Sequence, residues 1–467
     1  MTKITENPWL PKLENSDGPR YQAIVTAMKE DITSGLLAPG DRMPTQRALA
    51  KDLGVALGTI TRAYAEAERR GLIKSRGAGG TFIAGADVER DAGTLASPEP
   101  TASVIEMSID LPLHCEDPDL GPVLNDIARR NNSSELLRYH AVAGTLRHRQ
   151  AGVTWAARYG LETSADRVVV CAGTQHALTV SLMSLSSPGD VVLCSQLTYP
   201  GMKSVASHLH LKLQSVESDD RGMLPKSIEK ACRSSNVRAL YCNPSFHNPT
   251  TMQMDLPRRQ QIAKLAKKYD FAILEDDVHR LLSDDPPAPM ASLAPDHVFH
   301  IASFSKAVSA GLRVAFLVPP EKDHESVSQA VWATVWMVPS LPVEVAATWI
   351  EDGTADTVVQ RKRKEAGERQ RMYRKVFGNA NYSAQPNGYY VWLSLPEPWT
   401  SNGYALEAHQ RGVSITSAEP FLVEPNLSPA CVRVCLAAAE TRKLMLAGLD
   451  VLAKLLNSSP GRSAPVL

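Results

Sequence analysis

Short apolar runs alternate with helix-like segments from Ile105 to the end of the chain. One such run, residues 167–172, is followed by a turn of small residues and then by a helix-like stretch over 176–183. Similar runs occupy residues 190–194, 239–242 and 271–274. This alternation predicts a mostly parallel sheet covered by helices, and the polar residues that follow the strands are expected at its functional edge.

A lysine, Lys306, lies three residues after Ser303 and seven before Arg313. An amine can condense with an aldehyde, while a hydroxyl and a guanidinium can bind a phosphate. The spacing therefore favours Lys306 as the residue that forms a Schiff base with pyridoxal phosphate. A surface lysine beside a buried strand is the alternative, because Ser-x-Ser-Lys is a weak pattern by itself.

Other strand ends offer the groups that a pyridoxal ring requires. Asp276 follows a buried run, and its carboxylate can keep the pyridine nitrogen protonated. Asn248 offers an amide to the phenolic oxygen, and Tyr199 offers an aromatic ring for stacking. The turn at residues 173–175 opens a helix and so presents N–H groups to a phosphate.

Near the C-terminus, Arg433 lies inside an apolar stretch. A guanidinium there is costly unless it binds an anion, and a substrate carboxylate fits. Each residue also has a purely structural interpretation: Asp276 could cap a helix and Asn248 could make a turn. In the same way, Tyr199 could belong to the core and Arg433 could pair with an internal acid.

The N-terminal region, residues 19–84, carries a different pattern. Two helix-like segments, 46–53 and 57–70, are separated by a tight turn at 54–56, which predicts a helix-turn-helix. Residues 71–83 then read as two short strands joined by a glycine-rich tip, the form of a wing.

Positive charge is concentrated in the same region. From Arg42 to Arg76 there are eight basic and three acidic residues, a net charge of +5, although the whole chain has 50 basic and 50 acidic residues. This local excess favours contact with DNA phosphates, and a protein-binding winged helix is the alternative. The candidate DNA contacts are Arg42, Thr45, Gln46, Arg47, Thr59, Thr61, Arg62 and Arg76.

The stretch Pro39-Gly40-Asp41-Arg42-Met43-Pro44-Thr45-Gln46-Arg47, together with Leu53-Gly54-Val55 and Gly71-Leu72-Ile73, resembles the N-terminal winged helix of GntR-family transcription regulators. The resemblance covers residues 19–84 and implies DNA binding. At Val55-Ala56-Leu57-Gly58 this chain departs from the more polar start of the family's recognition helix, so no base preference is carried over.

Residues from about 107 to 457 resemble the fold type I aminotransferases, which implies a pyridoxal phosphate cofactor. In this chain His279 stands where the family commonly has tyrosine, and Thr251 where it has glycine. The resemblance implies that Arg433 binds an amino-acid carboxylate. It also implies that Tyr139 contacts the phosphate in the partner subunit, and hence that the protein is a homodimer. It assigns cofactor-binding roles to Gly173, Thr174, Gln175, Tyr199, Asn248, Asp276, His279, Ser303, Lys306, Arg313 and the partner-directed Tyr139.

The order of the two regions resembles the MocR subfamily of bacterial regulators. The predicted fold class is α/β: a winged helix-turn-helix over residues 1–84, a linker over 85–106 and a PLP-dependent transferase fold type I domain over 107–467, with a smaller C-terminal α+β subdomain. The linker is rich in Ala, Asp, Glu, Ser, Thr and Pro. The expected partners are operator DNA, a small amine or amino-acid effector and a second copy of the chain, arranged head to tail with domains swapped.

The main hypothesis is a DNA-binding regulator that depends on pyridoxal phosphate and whose effector at the Lys306 site is an amine, an amino acid or pyridoxal phosphate itself. Two alternatives compete with it: a working aminotransferase that carries a DNA-binding domain, and an inert scaffold stabilised by the cofactor. Seven cysteines without a Cys-x-x-Cys pair are typical of a reducing cytosol and indicate no zinc site. No apolar run is long enough to span a bilayer, so a cytoplasmic protein that binds no metal is expected.

Overall fold

The structure, a computed structural model, divides the chain into two compact units, residues 1–94 and 95–467. The predicted linker up to residue 103, the wing tip and Arg76 lie outside the described residues. The described residues are 9–11, 19–33, 36–37, 41–69, 72–75, 81–83, 104–130, 133–424 and 428–458.

The N-terminal unit contains three helices followed by a strand pair, as a winged helix-turn-helix requires. The second and third helices pack on each other, and the two strands pair in antiparallel register, with Ile73 opposite Ile83. Its elements are α1 (Arg20–Thr33), α2 (Gln46–Asp52), α3 (Leu57–Arg69), β1 (Ile73–Ser75) and β2 (Thr81–Ile83).

The turn between α2 and α3 has a clear local cause. Thr45 caps α2, since its Oγ1 accepts a hydrogen bond of 3.2 Å from the N–H of Ala48. Gly54 has φ +63° and so supplies the left-handed residue that ends a helix. Val55 then packs against the core of the unit, as the sequence pattern suggested.

The larger unit alternates strands and helices along most of its length. Its strands are β3 (Ile105–Glu106), β4 (Val169–Cys171), β5 (Val191–Ser195), β6 (Lys212–Val216), β7 (Ser218–Asp219), β8 (Gly222–Met223), β9 (Val237–Cys242), β10 (Ala272–Asp276), β11 (Val298–Ser303), β12 (Ala315–Val318), β13 (Tyr382–Ser383), β14 (Tyr390–Ser394), β15 (Val413–Ser414), β16 (Thr416–Ser417) and β17 (Cys431–Cys435). Its helices are α4 (Leu120–Arg129), α5 (Leu146–Arg158), α6 (Thr174–Leu185), α7 (Pro200–His208), α8 (Pro225–Ser234), α9 (Leu256–Tyr269), α10 (Met290–Leu293), α11 (His324–Val335), α12 (Ser340–Glu351), α13 (Thr354–Phe377), α14 (Ser401–Gln410) and α15 (Arg442–Leu456).

The central sheet has seven strands in the order β4-β12-β11-β10-β9-β5-β6. Strands β11, β10, β9, β5 and β6 are parallel neighbours, while β12 runs antiparallel to β11 and β4. Successive residues of β4, Val169 and Val170, enter two different core clusters, so both faces of the sheet are covered. The predicted mostly parallel sheet covered by helices is confirmed.

The smaller C-terminal α+β subdomain is also present, as a four-stranded sheet in the order β13-β14-β17-β16 with its own core. The strand β3 pairs in parallel with β15, Ile105 opposite Val413. Residues 105–106, which the sequence analysis assigned to the end of the linker, thus form a strand that pairs within the larger unit. No helix within the described ranges is both long and apolar enough to cross a membrane.

Candidate functional site

Residues that follow different strands meet at one edge of the central sheet. Asp276 is the last residue of β10 and Ser303 the last of β11, and Gly173 follows β4 by two residues. The carbonyl oxygen of Ser303 is anchored by Tyr159 Oη at 2.8 Å and by Trp155 Nε1 at 3.3 Å. The carboxyl ends of parallel strands share an edge, which explains why these residues converge.

The Lys306 side chain lies within this edge and is 21% exposed. Its Nζ donates a hydrogen bond to the backbone carbonyl of Asp110 and lies 3.3 Å from Asp110 Oδ2. Its own carbonyl accepts a hydrogen bond of 3.0 Å from Tyr389 Oη. The Lys306 amine is therefore fixed by its contacts with Asp110 and is largely buried, unlike the surface lysine of the alternative interpretation.

Asp276 has one satisfied and one unsatisfied carboxylate oxygen. Oδ2 accepts a hydrogen bond of 2.8 Å from Tyr241 Oη, while the buried Oδ1 has no partner among the described residues. Asp276 ends a strand and caps no helix. Burial raises the pKa of Asp276 to about 6 from its ordinary 3.8. A protonated pyridine nitrogen at Oδ1 would both satisfy this atom and offset its charge, so the site fits pyridoxal phosphate.

The raised pKa of Asp276 predicts a pH-dependent stability cost in the cofactor-free protein. The folded protein binds the carboxyl proton of Asp276 more tightly than the unfolded chain does. The contribution of protonated Asp276 to the free energy of unfolding is therefore fully present below about pH 4 and is lost as pH rises through about 6. Asn cannot ionise, and Asp276→Asn should therefore gain about 2–3 kcal/mol in free energy of unfolding relative to wild type between about pH 4.5 and 7.5.

Urea unfolding of the cofactor-free proteins at several pH values measures this difference. The matched control is Asp450→Asn, which changes a carboxylate that is 60% exposed and paired with Lys454. The control should follow the wild-type profile. A constant offset between Asp276→Asn and wild type at all pH values would contradict the prediction.

A cradle for a phosphate forms where α6 begins. Gly173 precedes the helix with φ +82°, and a Cβ at this residue would lie 2.4 Å from Nη2 of Arg313. Thr174 Oγ1 donates to Ser303 Oγ at 2.9 Å, and Arg313 Nη1 donates to Ser305 Oγ at 3.3 Å. Hydroxyls, a guanidinium and a helix N-terminus thus converge, which suits a phosphate dianion.

Tyr199 is positioned by contacts with the same helix. Its hydroxyl donates to Gln175 Oε1 at 3.3 Å, and Gln175 Nε2 donates to the Gly201 carbonyl at 2.8 Å. Burial raises the pKa of Tyr199 to about 12. The Gln175 side chain therefore orients Tyr199. The group of Gln175 that can contact a phosphate is its backbone N–H, in the first turn of α6.

Arg433 and Asn248 contact each other directly. Arg433 Nη1 donates to Asn248 Oδ1, and Nη2 donates to the carbonyl of Ser108, both at 2.8 Å. The guanidinium carbon lies 4.8 Å from the ring centre of Phe421. The buried Nε has no hydrogen-bond partner, and no ion pair links Arg433 to an acid in the described part of the chain. The site can therefore accept an anion.

His279, a predicted site residue, pairs with Asp110. The sequence analysis did not predict Asp110 as part of the site. His279 Nε2 lies 3.1 Å from Asp110 Oδ2. Burial disfavours the charged Asp110, but Lys306, His279 and Arg433 together hold its pKa well below the usual range. A lone carboxylate between Ile109 and Leu111 was the available signal. Ser305 was missed too, although it directly precedes Lys306.

Tyr139 lies on the surface of the protomer. It is 81% exposed, and its ring centre is 5.8 Å from that of Trp336, which is itself 51% exposed. No contact joins Tyr139 to Lys306 or the phosphate cradle within the described protomer. If Tyr139 contacts a cofactor, that cofactor must be the one bound by the partner subunit.

The described DNA candidates lie on and beside α2 and α3. Gln46 Oε1 accepts a hydrogen bond of 2.9 Å from Thr61 Oγ1, so these two side chains hold each other across the turn. The guanidinium of Arg62 lies 4.3 Å from the ring centre of Tyr21. Exposed candidates are Arg42, Thr45, Arg47, Thr61 and Arg62, while Gln46 and Thr59 are partly buried.

Two family models match this chain. The model described as aminotransferase class I and II matches residues 110–452. The model described as bacterial regulatory proteins, gntR family, matches residues 20–83. The two matches coincide with the larger unit and the winged helix-turn-helix.

Relatives that align with most of this chain are named as regulators. The HTH-type transcriptional regulator YdeF of Bacillus subtilis is 32% identical over 96% of this chain and 97% of its own length. The probable rhizopine catabolism regulatory protein MocR of Rhizobium meliloti is 24% identical over 77% of each chain. Among solved structures, kynurenine aminotransferase of Pyrococcus horikoshii has a TM-score of 0.70 at 22% identity, over 76% of this chain and 91% of that one.

Proposed function

Since this chain belongs to the aminotransferase class I and II family and to the HTH-type transcription regulators that join a GntR domain to it, we propose that a small amine or amino acid at the Lys306 site controls its DNA binding. The chain is a MocR-type DNA-binding regulator, as the sequence predicted. The names of its relatives favour this function over a working aminotransferase. A regulator that must reach DNA is expected in the cytoplasm.

One observation carries the proposal: two buried polar atoms in the same site have no hydrogen-bond partner in the described structure, Asp276 Oδ1 and Arg433 Nε. Leaving such atoms unsatisfied costs about 1–3 kcal/mol each. The first can accept from a cationic ring nitrogen, and the second can donate to a carboxylate. Together they suit a cofactor and a ligand that carries an anion.

Pyridoxal phosphate is the cofactor of this family, and when bound it supplies an aldehyde for primary amines and an electron-withdrawing ring. Lys306 would offer the amine that holds it, and Asp276 would keep the ring nitrogen protonated. The phosphate would be bound at the N-terminus of α6 by Gly173, Thr174 and Gln175 through backbone N–H groups, and by Ser303, Ser305 and Arg313 through side chains. Tyr199 would stack on the ring and Asn248 would contact its phenolic oxygen.

The surface around Tyr139 supports a homodimer. Leu137 is 90% exposed, and Trp332 and Trp336 are each about half exposed. Clustered apolar side chains of this size usually mark an interface. We propose that a second copy covers them, and that Tyr139 there reaches the partner's phosphate in the head-to-tail, domain-swapped arrangement. Two winged helices would then meet two operator half-sites.

The segment that leads out of the linker supports coupling between the effector site and the DNA-binding domain. Ile105 pairs with β15, and the carbonyl of Ser108 accepts hydrogen bonds from Arg433 at 2.8 Å and from Thr416 at 2.6 Å. Asp110 contacts Lys306. An effector that engaged Arg433 would therefore compete with contacts of residues 105–110, which continue directly from the linker.

Arg433→Gln tests the proposal. In the wild-type protein loaded with pyridoxal phosphate, an effector amino acid should shift operator affinity by about 5- to 150-fold, the usual range of such coupling. Arg433→Gln should keep its cofactor but have the same operator affinity with and without the effector, because the effector carboxylate has lost its guanidinium and the contact with Ser108 is already absent. Fluorescence anisotropy on DNA that the protein selects from random sequence measures both.

The matched control is Arg374→Gln, a change near the end of the long helix α13. It should leave the shift intact. An unaltered shift in Arg433→Gln, or no shift with any amino acid or amine in wild type, would contradict the proposal.

A further inference from the structure

A buried carboxylate lies beside the amine that would hold the cofactor. Asp110 Oδ2 is 3.3 Å from Lys306 Nζ, and the backbone carbonyl of Asp110 accepts a hydrogen bond from the same nitrogen. The Asp110 side chain is only 11% exposed. Neither the ring nor the phosphate of the cofactor requires an anion at this point, so the position of Asp110 needs its own explanation.

The positive charge around Asp110 depends on what is bound in the site. Burial opposes the ionisation of Asp110, but the charges of Lys306, His279 and Arg433 together hold its pKa well below the usual range. A carboxylate in so little water requires positive charge nearby. Bonding of Lys306 to the cofactor removes its ammonium from Asp110. An effector carboxylate at Arg433 would then neutralise a second of these three cations.

Displacement of Lys306 by an effector amine restores the ammonium. The cofactor has one aldehyde carbon, so the effector nitrogen can bond to it only as the bond to Lys306 breaks. One carbon–nitrogen double bond is exchanged for another, and the protons that the effector's ammonium loses pass to the Lys306 nitrogen. Lys306 thus leaves the cofactor as a cation, which needs an acceptor within its reach.

We propose that Asp110 is a positioning residue, which binds the Lys306 ammonium displaced by an effector amine and so favours the effector-bound form. The contact between them lies within reach of a fixed backbone, since Tyr389 Oη donates to the Lys306 carbonyl at 3.0 Å. The Asp110 carboxylate is itself held by His279 Nε2 at 3.1 Å from Oδ2. This inference rests on the proposed function, because it concerns the exchange of amines at the same site.

The charge of Asp110 should act in opposite directions on two equilibria. It stabilises the free ammonium of Lys306, which opposes attachment of the cofactor to Lys306 and assists its transfer to the effector amine. Removal of the charge should therefore hinder the transfer without weakening cofactor binding. A residue that only supported the fold would, when changed, weaken the binding of both the cofactor and the effector.

Borohydride trapping measures the transfer, with methylamine and L-alanine as probes. Reduction fixes the cofactor to the nitrogen to which it is bonded, and mass spectrometry of the intact protein then gives the fraction left on Lys306. Asp110→Asn keeps the size and the backbone carbonyl but not the charge. It should need about tenfold more of either amine for half displacement, the lower end of the usual value of a charge-assisted hydrogen bond. Methylamine has no carboxylate, so its result is independent of Arg433.

Equilibrium dialysis measures the attachment of pyridoxal phosphate, which Asp110→Asn should bind no more weakly than wild type does. Asp110→Ser also lacks the charge and should give the same two results, and it serves if the amide variant folds poorly. Asp450→Asn, which changes an exposed carboxylate, should match wild type in both measurements.

Three results would overturn the inference. The first is the same half-displacement concentration in the Asp110 variants as in wild type. The second is weaker binding of pyridoxal phosphate together with weaker displacement, which is the behaviour of a structural residue. The third is the failure of methylamine to displace Lys306 from the cofactor in wild type.

Operator binding by the same proteins separates this inference from the proposed function. If displacement depends on Asp110 as expected but no amine or amino acid changes operator affinity, the role of Asp110 stands and the regulatory proposal fails. If displacement is the same in Asp110→Asn and wild type while an amino acid still shifts operator affinity, the regulatory proposal stands and the role of Asp110 is refuted.

Discussion

Lys306→Ala is expected to abolish both the absorption band of pyridoxal phosphate bonded covalently to the protein and every response of operator binding to an effector. The physical reason is that Lys306 is the amine that lies beside Asp110 in the site, so its loss removes the covalent attachment. The cradle of Ser303, Ser305 and Arg313 is unchanged, so the cofactor should still bind, but at least about tenfold more weakly.

Absorption spectra taken before and after borohydride measure this effect. Borohydride should fix the cofactor to wild type and not to Lys306→Ala. The control is Lys264→Ala, which removes an exposed lysine from α9 and should behave as wild type. Operator affinity without effector should be the same in all three proteins. A band that borohydride fixes in Lys306→Ala would refute the assignment of this lysine.

Gly173→Ala is expected to lower the affinity for pyridoxal phosphate by about 10- to 100-fold, as the loss of one charge-assisted contact does. A Cβ would lie 2.4 Å from Nη2 and 2.7 Å from the central carbon of the Arg313 guanidinium, so the guanidinium must move. The backbone at Gly173, φ +82° and ψ 174°, is in addition a conformation open essentially to glycine, which adds about 1–3 kcal/mol of strain.

Gly353→Ala is the matched control. This residue also has a positive φ, +81°, and also precedes a helix, but a Cβ there meets nothing within 4 Å. It should lose some stability and keep cofactor affinity. Equilibrium dialysis with pyridoxal phosphate, accompanied by thermal unfolding, separates the two effects. Equal cofactor affinities in the two variants would show that the phosphate does not lie against Arg313.

Much of the fold and of the site followed from local patterns. The apolar runs that predicted strands agree with β4, β5, β9 and β10 to within a few residues, because a strand covered on both faces must be apolar throughout. The turn at Gly54 and the cap at Thr45 depend on neighbouring residues alone. The positions of Lys306 and Asp276 at strand ends were likewise readable, since parallel strands end at a common edge.

The contacts between distant parts of the chain were decided only by the tertiary structure. Asp110 meets Lys306 across 196 residues of sequence, and Asn248 meets Arg433 across 185. Neither contact could be predicted from a periodicity or a spacing in the sequence, because each contact depends on which loops the folded sheet brings together. The sequence by itself determined the two domain types and the cofactor; the packing of residues 105–110 beside Lys306 decided which charges surround this lysine, because a buried charge is governed by its neighbours in space.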